Sequence, residues 1–278
     1  MHLQFDSQLT RKYSSRSQIA RVLTQEWIRT ELPCLNCSAQ PLSQTPENTR
    51  SRDFVCGECE EPYELKSKAG HYTRWVADGE YSTLLETIRT GNTPNLLLLE
   101  YDPSILAVTR LQAIHRTLLS PLAVVARKPL SAHARRAGWE GCNLDLGTVP
   151  EIGRVPIVWD GTVLPWESVQ RTWAKFEFIV HASPESRGWL RDVLACVQRL
   201  PRATFSLNEV YSFESELALL HPGNQNVRPK IRQQLQVLIL KGAIRRIRLG
   251  FYESVWSSQP GPDQEGPRSD EVRSCPMS

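Results

Sequence analysis

Glu64 and Lys66 flank Leu65 in the stretch Pro62-Tyr63-Glu64-Leu65-Lys66-Ser67-Lys68, and Asp53 stands a short way upstream. In a strand, alternation puts the Glu64 and Lys66 side chains on one face. Asp53 and Glu64 offer hard carboxylate oxygens. With the Leu65 carbonyl and water they form a donor set suited to Mg2+. An ion held there would polarise a phosphate and lower the pKa of an attacking water. Lys66 can orient that water or stabilise the charge that builds on phosphorus. Glu-x-Lys alone says little, because many solvated strands alternate their charges. It gains meaning from the acid before it and from the order of the elements around it.

The same segment holds soft ligands. Cys34-x-x-Cys37 and Cys56-x-x-Cys59 are separated by 18 residues, the spacing of two knuckles that close a tetrahedral zinc site. Four thiolates leave no open coordination position, so zinc here is expected to be structural. A redox dithiol would not need the second pair. Cys142, Cys196 and Cys275 are scattered and carry no motif.

These groups need elements to position them. Ser17 to Arg29 has Ile19, Val22, Leu23 and Trp27 at helical spacing. A polar loop from Ser38 to Arg52 follows within the cysteine region. Val55 and Tyr63 to Ser67 read as short strands, and Tyr81 to Thr90 as a helix with Leu84, Leu85 and Ile88 inward. Leu96-Leu97-Leu98-Leu99, within Asn95 to Tyr101, is the run expected of a strand buried on both faces. Helix, strand, strand, helix, strand describes an α/β core with a mixed sheet.

A second unit runs from Ser183 to Val255. Ser183-Pro184 is a helix start, with Trp189, Val193, Cys196, Val197 and Leu200 along one face. Ser206-x-x-Glu209 is a capping box, with Phe205 and Val210 placed as its hydrophobic staple; Val210, Phe213 and Leu217 continue that helix. Gly223-Asn224 breaks the chain. A third helix spans Val227 to Lys241, with Val227, Ile231, Leu235 and Leu238 inward. Ile247, Leu249 and Phe251 alternate with Arg246, Arg248 and Gly250, as in a half-buried hairpin. Three helices and a hairpin make a winged-helix pattern.

Residues 227–248 contain seven basic residues and no acidic one: Arg228, Lys230, Arg232, Lys241, Arg245, Arg246 and Arg248. Arg228, Arg232, Gln233 and Gln236 lie off the apolar stripe of the third helix. Such a helix can enter the major groove, where Arg reads guanine and Gln reads adenine. Arg245, Arg246 and Arg248 would then grip phosphates. A merely solvated basic face is the plainer alternative.

The bulk numbers fit a globular protein: 278 residues, 40% hydrophobic and 23% charged, with net charge +3. No apolar run approaches the ~20 residues of a membrane helix, and the N-terminus lacks a signal-peptide pattern. A cytoplasmic location is expected. From Trp256 onward, Ser, Pro, Gly and acidic residues dominate, and disorder is expected. His71, His115, His133 and His181 suggest no functional role.

The chain resembles the DpnI-like methyl-directed restriction endonucleases over nearly its whole length up to that tail. The matching strings are Ser17-Gln18-Ile19-Ala20-Arg21-Val22-Leu23-Thr24, Tyr63-Glu64-Leu65-Lys66-Ser67-Lys68 and Arg127-Lys128-Pro129-Leu130. Others are Ala134-Arg135-Arg136-Ala137-Gly138-Trp139, Gly141-Cys142-Asn143, Ser186-Arg187-Gly188-Trp189 and Lys230-Ile231-Arg232-Gln233-Gln234-Leu235-Gln236. The resemblance implies an α/β PD-(D/E)xK nuclease core with a four-cysteine zinc-binding insertion over residues 1–182. An α+β winged-helix domain over 183–255 and a tail over 256–278 would follow. It implies Mg2+-dependent double-strand cleavage of 5′-GATC-3′ carrying N6-methyladenine, by a chain monomeric in solution. Asp53, Glu64 and Lys66 are then the catalytic positions, and Arg52 replaces the family's usual proline before the acid.

On this reading Arg135 and Arg136 touch DNA, and Trp139 packs against the adenine methyl groups. A methyl against an indole gains something near the ~0.8 kcal/mol of a buried methylene, so strong selectivity also needs a penalty on the unmethylated amine. Core packing is the ordinary alternative for Trp139. The chain departs from the family's pattern around 237–242 and carries more Arg in its hairpin. Two rival readings follow: a non-catalytic zinc and winged-helix DNA reader, and a nuclease of altered sequence or methylation specificity.

Overall fold

The computed structural model describes residues 1–46, 49, 52–180 and 182–255. The expectation for the tail falls outside them, as do Cys275 and His181. After a short 3-10 turn, helix α1 covers Arg16–Glu31 and turns Leu23, Thr24, Trp27 and Ile28 inward. The first strands are β1 (Ser43–Gln44), β2 (Phe54–Val55), β3 (Pro62–Ala69) and β4 (Trp75–Glu80). Helix α2 (Tyr81–Thr90) ends on Gly91 at φ 75°, the left-handed position that glycine takes without penalty. Then come β5 (Asn95–Asp102), β6 (Ala107–Ile114), β7 (Val124–Ala126), β8 (Gly141–Asp145), β9 (Arg154–Trp159) and β10 (Thr162–Val163).

Seven strands form one sheet in the order β1-β2-β3-β5-β6-β9-β10. Among the described residues only β3 and β5 run parallel, so the sheet is mixed, as expected. Central β5 is buried from Asn95 through Glu100, and each fully buried leucine there contributes roughly 2 kcal/mol relative to exposure. A second sheet, β4-β8-β7, has no counterpart in the sequence reading. It packs Val76, Val124, Cys142 and Leu144 with α2 and the other face of β5.

Four helices lead into the C-terminal unit and build it: α3 (Trp166–Ala174), α4 (Glu177–Val180), α5 (Pro184–Gln198) and α6 (Leu207–Tyr211). They are followed by α7 (Glu214–Leu220) and α8 (Val227–Leu240), with β11 (Thr204–Ser206), β12 (Ile244–Arg248) and β13 (Phe251–Ser254) as a small sheet. Ser183 caps α5, and the Ser206–Glu209 box is complete in both directions. The helix expected to run on through Leu217 is two helices, α6 and α7, broken at Ser212-Phe213.

The hairpin face differs from expectation. Leu249 is 83% exposed and Ile247 51% exposed, while Ile244 and Tyr252 are buried. Beyond Ile244 the strand is exposed on both faces, with a register shift between Arg246 and Arg248.

One apolar core joins the two halves, running from Trp27 and Leu97 through Phe176 and Trp189 to Ile231 and Leu238. At its polar centre Asp192 is 1% exposed. It accepts from Ser120 Oγ at 2.7 Å and Arg191 Nε at 2.9 Å, and pairs with His221 Nε2 at 2.9 Å. The His221 ring stacks on Trp189 with centroids 4.0 Å apart.

Candidate functional site

β2 and β3 are paired for only two residues, Phe54 with Tyr63 and Val55 with Pro62. Asp53 stands where the pairing stops. Its amide donates to the Tyr63 carbonyl at 2.8 Å, and its Oδ2 accepts from the Leu65 amide at 2.7 Å. The carboxylate therefore lies over the middle of Glu64-Leu65-Lys66. Along β3, Glu64 and Lys66 share a face, and Lys66 Nζ donates to Glu64 Oε1 at 2.7 Å. Thr24 Oγ1 on α1 meets Ser67 Oγ at 3.2 Å and ties the far end of the strand to the helix.

A third acid joins them that the sequence reading missed. Asp78, on β4, accepts from Lys66 Nζ through Oδ1 at 2.9 Å. It lies 12 residues beyond Lys66 and carries no motif; the second sheet brings it here. Burial raises the Glu64 carboxyl above its usual range, and the charges of Asp78 and Asp53 add to that, against the pull of Lys66. For Lys66, burial alone would favour the neutral amine. The charges and hydrogen bonds of Glu64 and Asp78 outweigh it and hold the amine above its usual range.

A divalent cation suits these residues. Their donors are hard oxygens, and a second positive charge would relieve the crowding of buried acids around Glu64. Asp53, Glu64 and the Leu65 carbonyl are the groups that could hold it. Beside them lies a polar groove lined by Arg21, Gln25, Gln44, Thr45, Arg52 and Asp53.

The four cysteines converge next door. Their sulfurs all lie within 4.8 Å of one another, with Cys34 to Cys59 and Cys37 to Cys56 each at 3.5 Å. A tetrahedron with Zn–S bonds of about 2.3 Å has sulfur–sulfur edges of about 3.8 Å, so the cluster fits zinc. Backbone amides of Asn36 and Cys37 face the Cys34 sulfur, and those of Glu58 and Cys59 face that of Cys56. Tyr63 was also missed. Its hydroxyl contacts Cys34 Sγ at 3.2 Å and accepts from the Leu35 amide at 3.0 Å. Since Tyr63 precedes Glu64, the thiolate cluster and the acid cluster share one strand.

Trp139 is half-buried and belongs to neither apolar core, contrary to the packing alternative. Arg136 lies over its ring at 4.8 Å and Arg127 at 5.7 Å. Gly138, at φ 77°, turns the chain so that Trp139 returns beside Leu130. Arg135 and Arg136 are exposed.

The basic residues of the C-terminal unit divide in two. Arg228 pairs with Glu214 at 2.7 Å, Lys230 with Glu185 at 3.5 Å and Arg245 with Glu253. Those three are neutralised within the chain. Arg232, Gln233 and Gln236 on α8 are exposed, as are Arg246 and Arg248 on the hairpin, with Arg248 stacked over Phe251 at 4.0 Å. His71 and His115 have structural partners: His71 meets Glu100 at 2.6 Å, and His115 lies against Trp173 and Phe176.

Among the described residues no helix is long and apolar enough to cross a membrane. Residues 1–182 match the DpnI, Dam-replacing family, and residues 185–254 match the DpnI C-terminal, Dam-replacing HTH domain. With both matches in order along a chain of this fold, the protein belongs to the DpnI, Dam-replacing family.

Proposed function

We propose that the protein is a methyl-directed restriction endonuclease that makes Mg2+-dependent double-strand cuts at 5′-GATC-3′ carrying N6-methyladenine. The observation that carries this reading is the convergence of Asp53, Glu64 and Lys66 at the end of the β2–β3 pairing. Family membership and the HTH domain supply the DNA context. The core is then a PD-(D/E)xK nuclease, braced by a structural Zn2+ on Cys34, Cys37, Cys56 and Cys59.

Asp53, Glu64 and the Leu65 carbonyl would hold Mg2+, which when bound would supply Lewis-acid polarisation of the scissile phosphate and a water of lowered pKa. Lys66, kept fully charged by its acid neighbours, faces the developing negative charge and stabilises it. The groove beside Asp53 seats the backbone of the cut strand, with Arg52 on its wall. Trp139, gripped by Arg127 and Arg136, offers an apolar ring edge to the adenine methyl groups. On α8, Arg232, Gln233 and Gln236 face the major groove, and Arg246 and Arg248 hold phosphates. Arg228, Lys230 and Arg245 contribute only where DNA displaces their acidic partners.

The test is digestion of one plasmid, with and without adenine methylation at GATC, in the presence of Mg2+. Cleavage of the methylated form alone is the expected result. Cleavage of both forms would replace this reading by a nuclease indifferent to methylation, and binding without cleavage by a DNA reader.

A further inference from the structure

Asp78 sits at a distortion in β4. The register with β8 pairs Asp78 with Cys142 and Glu80 with Gly141, and shifts between them. Gly79 is thus an extra residue in the strand. A bulge of this kind re-aims the side chain beside it, and bulges gather next to active sites. Here it turns the Asp78 carboxylate toward Lys66, and the Gly79 amide donates to Oδ1 at 2.6 Å and fixes it.

Two further observations single the residue out. The Asp78 side chain is only 7% exposed, and its Oδ2 is buried with no hydrogen-bond partner. A buried carboxylate oxygen without a donor is costly, so the charge is balanced chiefly by the Lys66 ammonium. The Asp78 carbonyl, in turn, accepts from Arg127 Nη2 at 3.3 Å. Arg127 is one of the two cations that lie against Trp139, and a side chain on Gly141 would collide with both Arg127 and Trp139. Arg127 Nε is itself buried without a partner. A continuous path of contacts therefore runs from Trp139 through Arg127 and Asp78 to Lys66.

We infer that Asp78 is a positioning residue: it sets the Lys66 ammonium against the reacting phosphate and joins it to the loop that carries Trp139. This rests on the proposed nuclease reading of Lys66. It makes the rate of cleavage, and not only binding, respond to what Trp139 touches. A lysine that swings away from Asp78 loses the fixed approach on which the reaction depends.

The experiment measures single-turnover cleavage of a methylated GATC duplex at saturating Mg2+, and duplex affinity without divalent metal. Asp78→Asn keeps the shape and the Gly79 contact but removes the charge. Its cleavage rate should fall about 100-fold, the scale of an ångström-sized misplacement, while Kd stays within about twofold. Asp78→Glu restores the charge on a longer arm and should give an intermediate rate. Arg127→Met should slow single-turnover cleavage of the methylated duplex about tenfold at saturating enzyme. Wild-type rates in the folded Asp78 variants, or a loss explained wholly by weaker binding, would overturn the inference. A wild-type chain that does not cut the methylated duplex would instead overturn the nuclease reading beneath it.

Discussion

Replacing Lys66 by Met tests the charge arrangement of the site in the absence of any substrate. Lys66 Nζ stands 2.7 Å from Glu64 Oε1 and 2.9 Å from Asp78 Oδ1, with 18% of its side chain exposed. At an effective dielectric of about 20, a charge pair at about 4 Å is worth roughly 4 kcal/mol. Two such attractions, less the several kcal/mol spent desolvating an ammonium, leave a net of roughly 2–4 kcal/mol. Lys66→Met removes that stabilisation and leaves Glu64 and Asp78 facing each other near Asp53. In metal-free buffer the unfolding temperature should fall by roughly 4–16 °C, at about 2–4 °C per kcal/mol.

A hard divalent cation should then restore what the ammonium supplied. Ca2+ at about 100 times its Kd adds roughly 2.7 kcal/mol to a one-site protein, and the variant should bind it more tightly than the wild type. Cleavage should be lost throughout. The assay is thermal unfolding of both proteins across a Ca2+ titration. A variant as stable as the wild type without metal, and no more responsive to Ca2+, would show that these acids do not form one charge-balanced cation site.

Cys56→Ser should abolish about one bound zinc per chain, read by metal analysis, and lower folded yield, because structural zinc contributes directly to folding; unchanged zinc would refute the four-cysteine site. Asp192→Asn should cost about 3 kcal/mol in urea unfolding, since it leaves Arg191 and His221 buried against a neutral amide; a cost under about 1 kcal/mol would deny Asp192 its role at the centre of the shared core. His115 is buried, and burial, with Arg116 beside it, pushes its imidazole down to about 3. The unfolded imidazole titrates near ~6.5, so the unfolded chain binds the extra proton between these values and stability falls as pH drops below about 6.5. From pH 7 to pH 5 the loss should be about 2 kcal/mol. His115→Asn should remove that portion of the pH dependence of the unfolding free energy, and an unchanged slope would refute it.

Much of the chain was legible because its signals are local. The helix at Tyr81–Thr90 follows from its apolar spacing, the box at Ser206 from reciprocal caps, and buried β5 from four consecutive leucines. Glu64 and Lys66 could be placed on one face because strand alternation is a property of the backbone. The cysteine spacing pointed to a four-sulfur cluster because each knuckle is a tight turn.

The hairpin resisted the same logic. Its alternation is real in the sequence, yet no element covers either face of the tip, and Ile247 and Leu249 face solvent with the arginines between them. The basic face was legible as a charge excess, but the partners that neutralise Arg228, Lys230 and Arg245 come from other elements.

The sequence by itself determined the local elements, the two knuckles, and the Glu64–Lys66 pair with Asp53 upstream. Tertiary structure alone decided what surrounds that pair. Asp78 reaches Lys66 because β4 leaves the main sheet for a second one and bulges at Gly79. Tyr63 reaches Cys34 because β3 passes beneath the first knuckle. Arg127 meets Trp139 because the chain between them turns back on itself. Periodicity and spacing encode which way a side chain points from its own backbone. They carry nothing about which distant backbone will be brought opposite it, and a buried charge takes its partner from there.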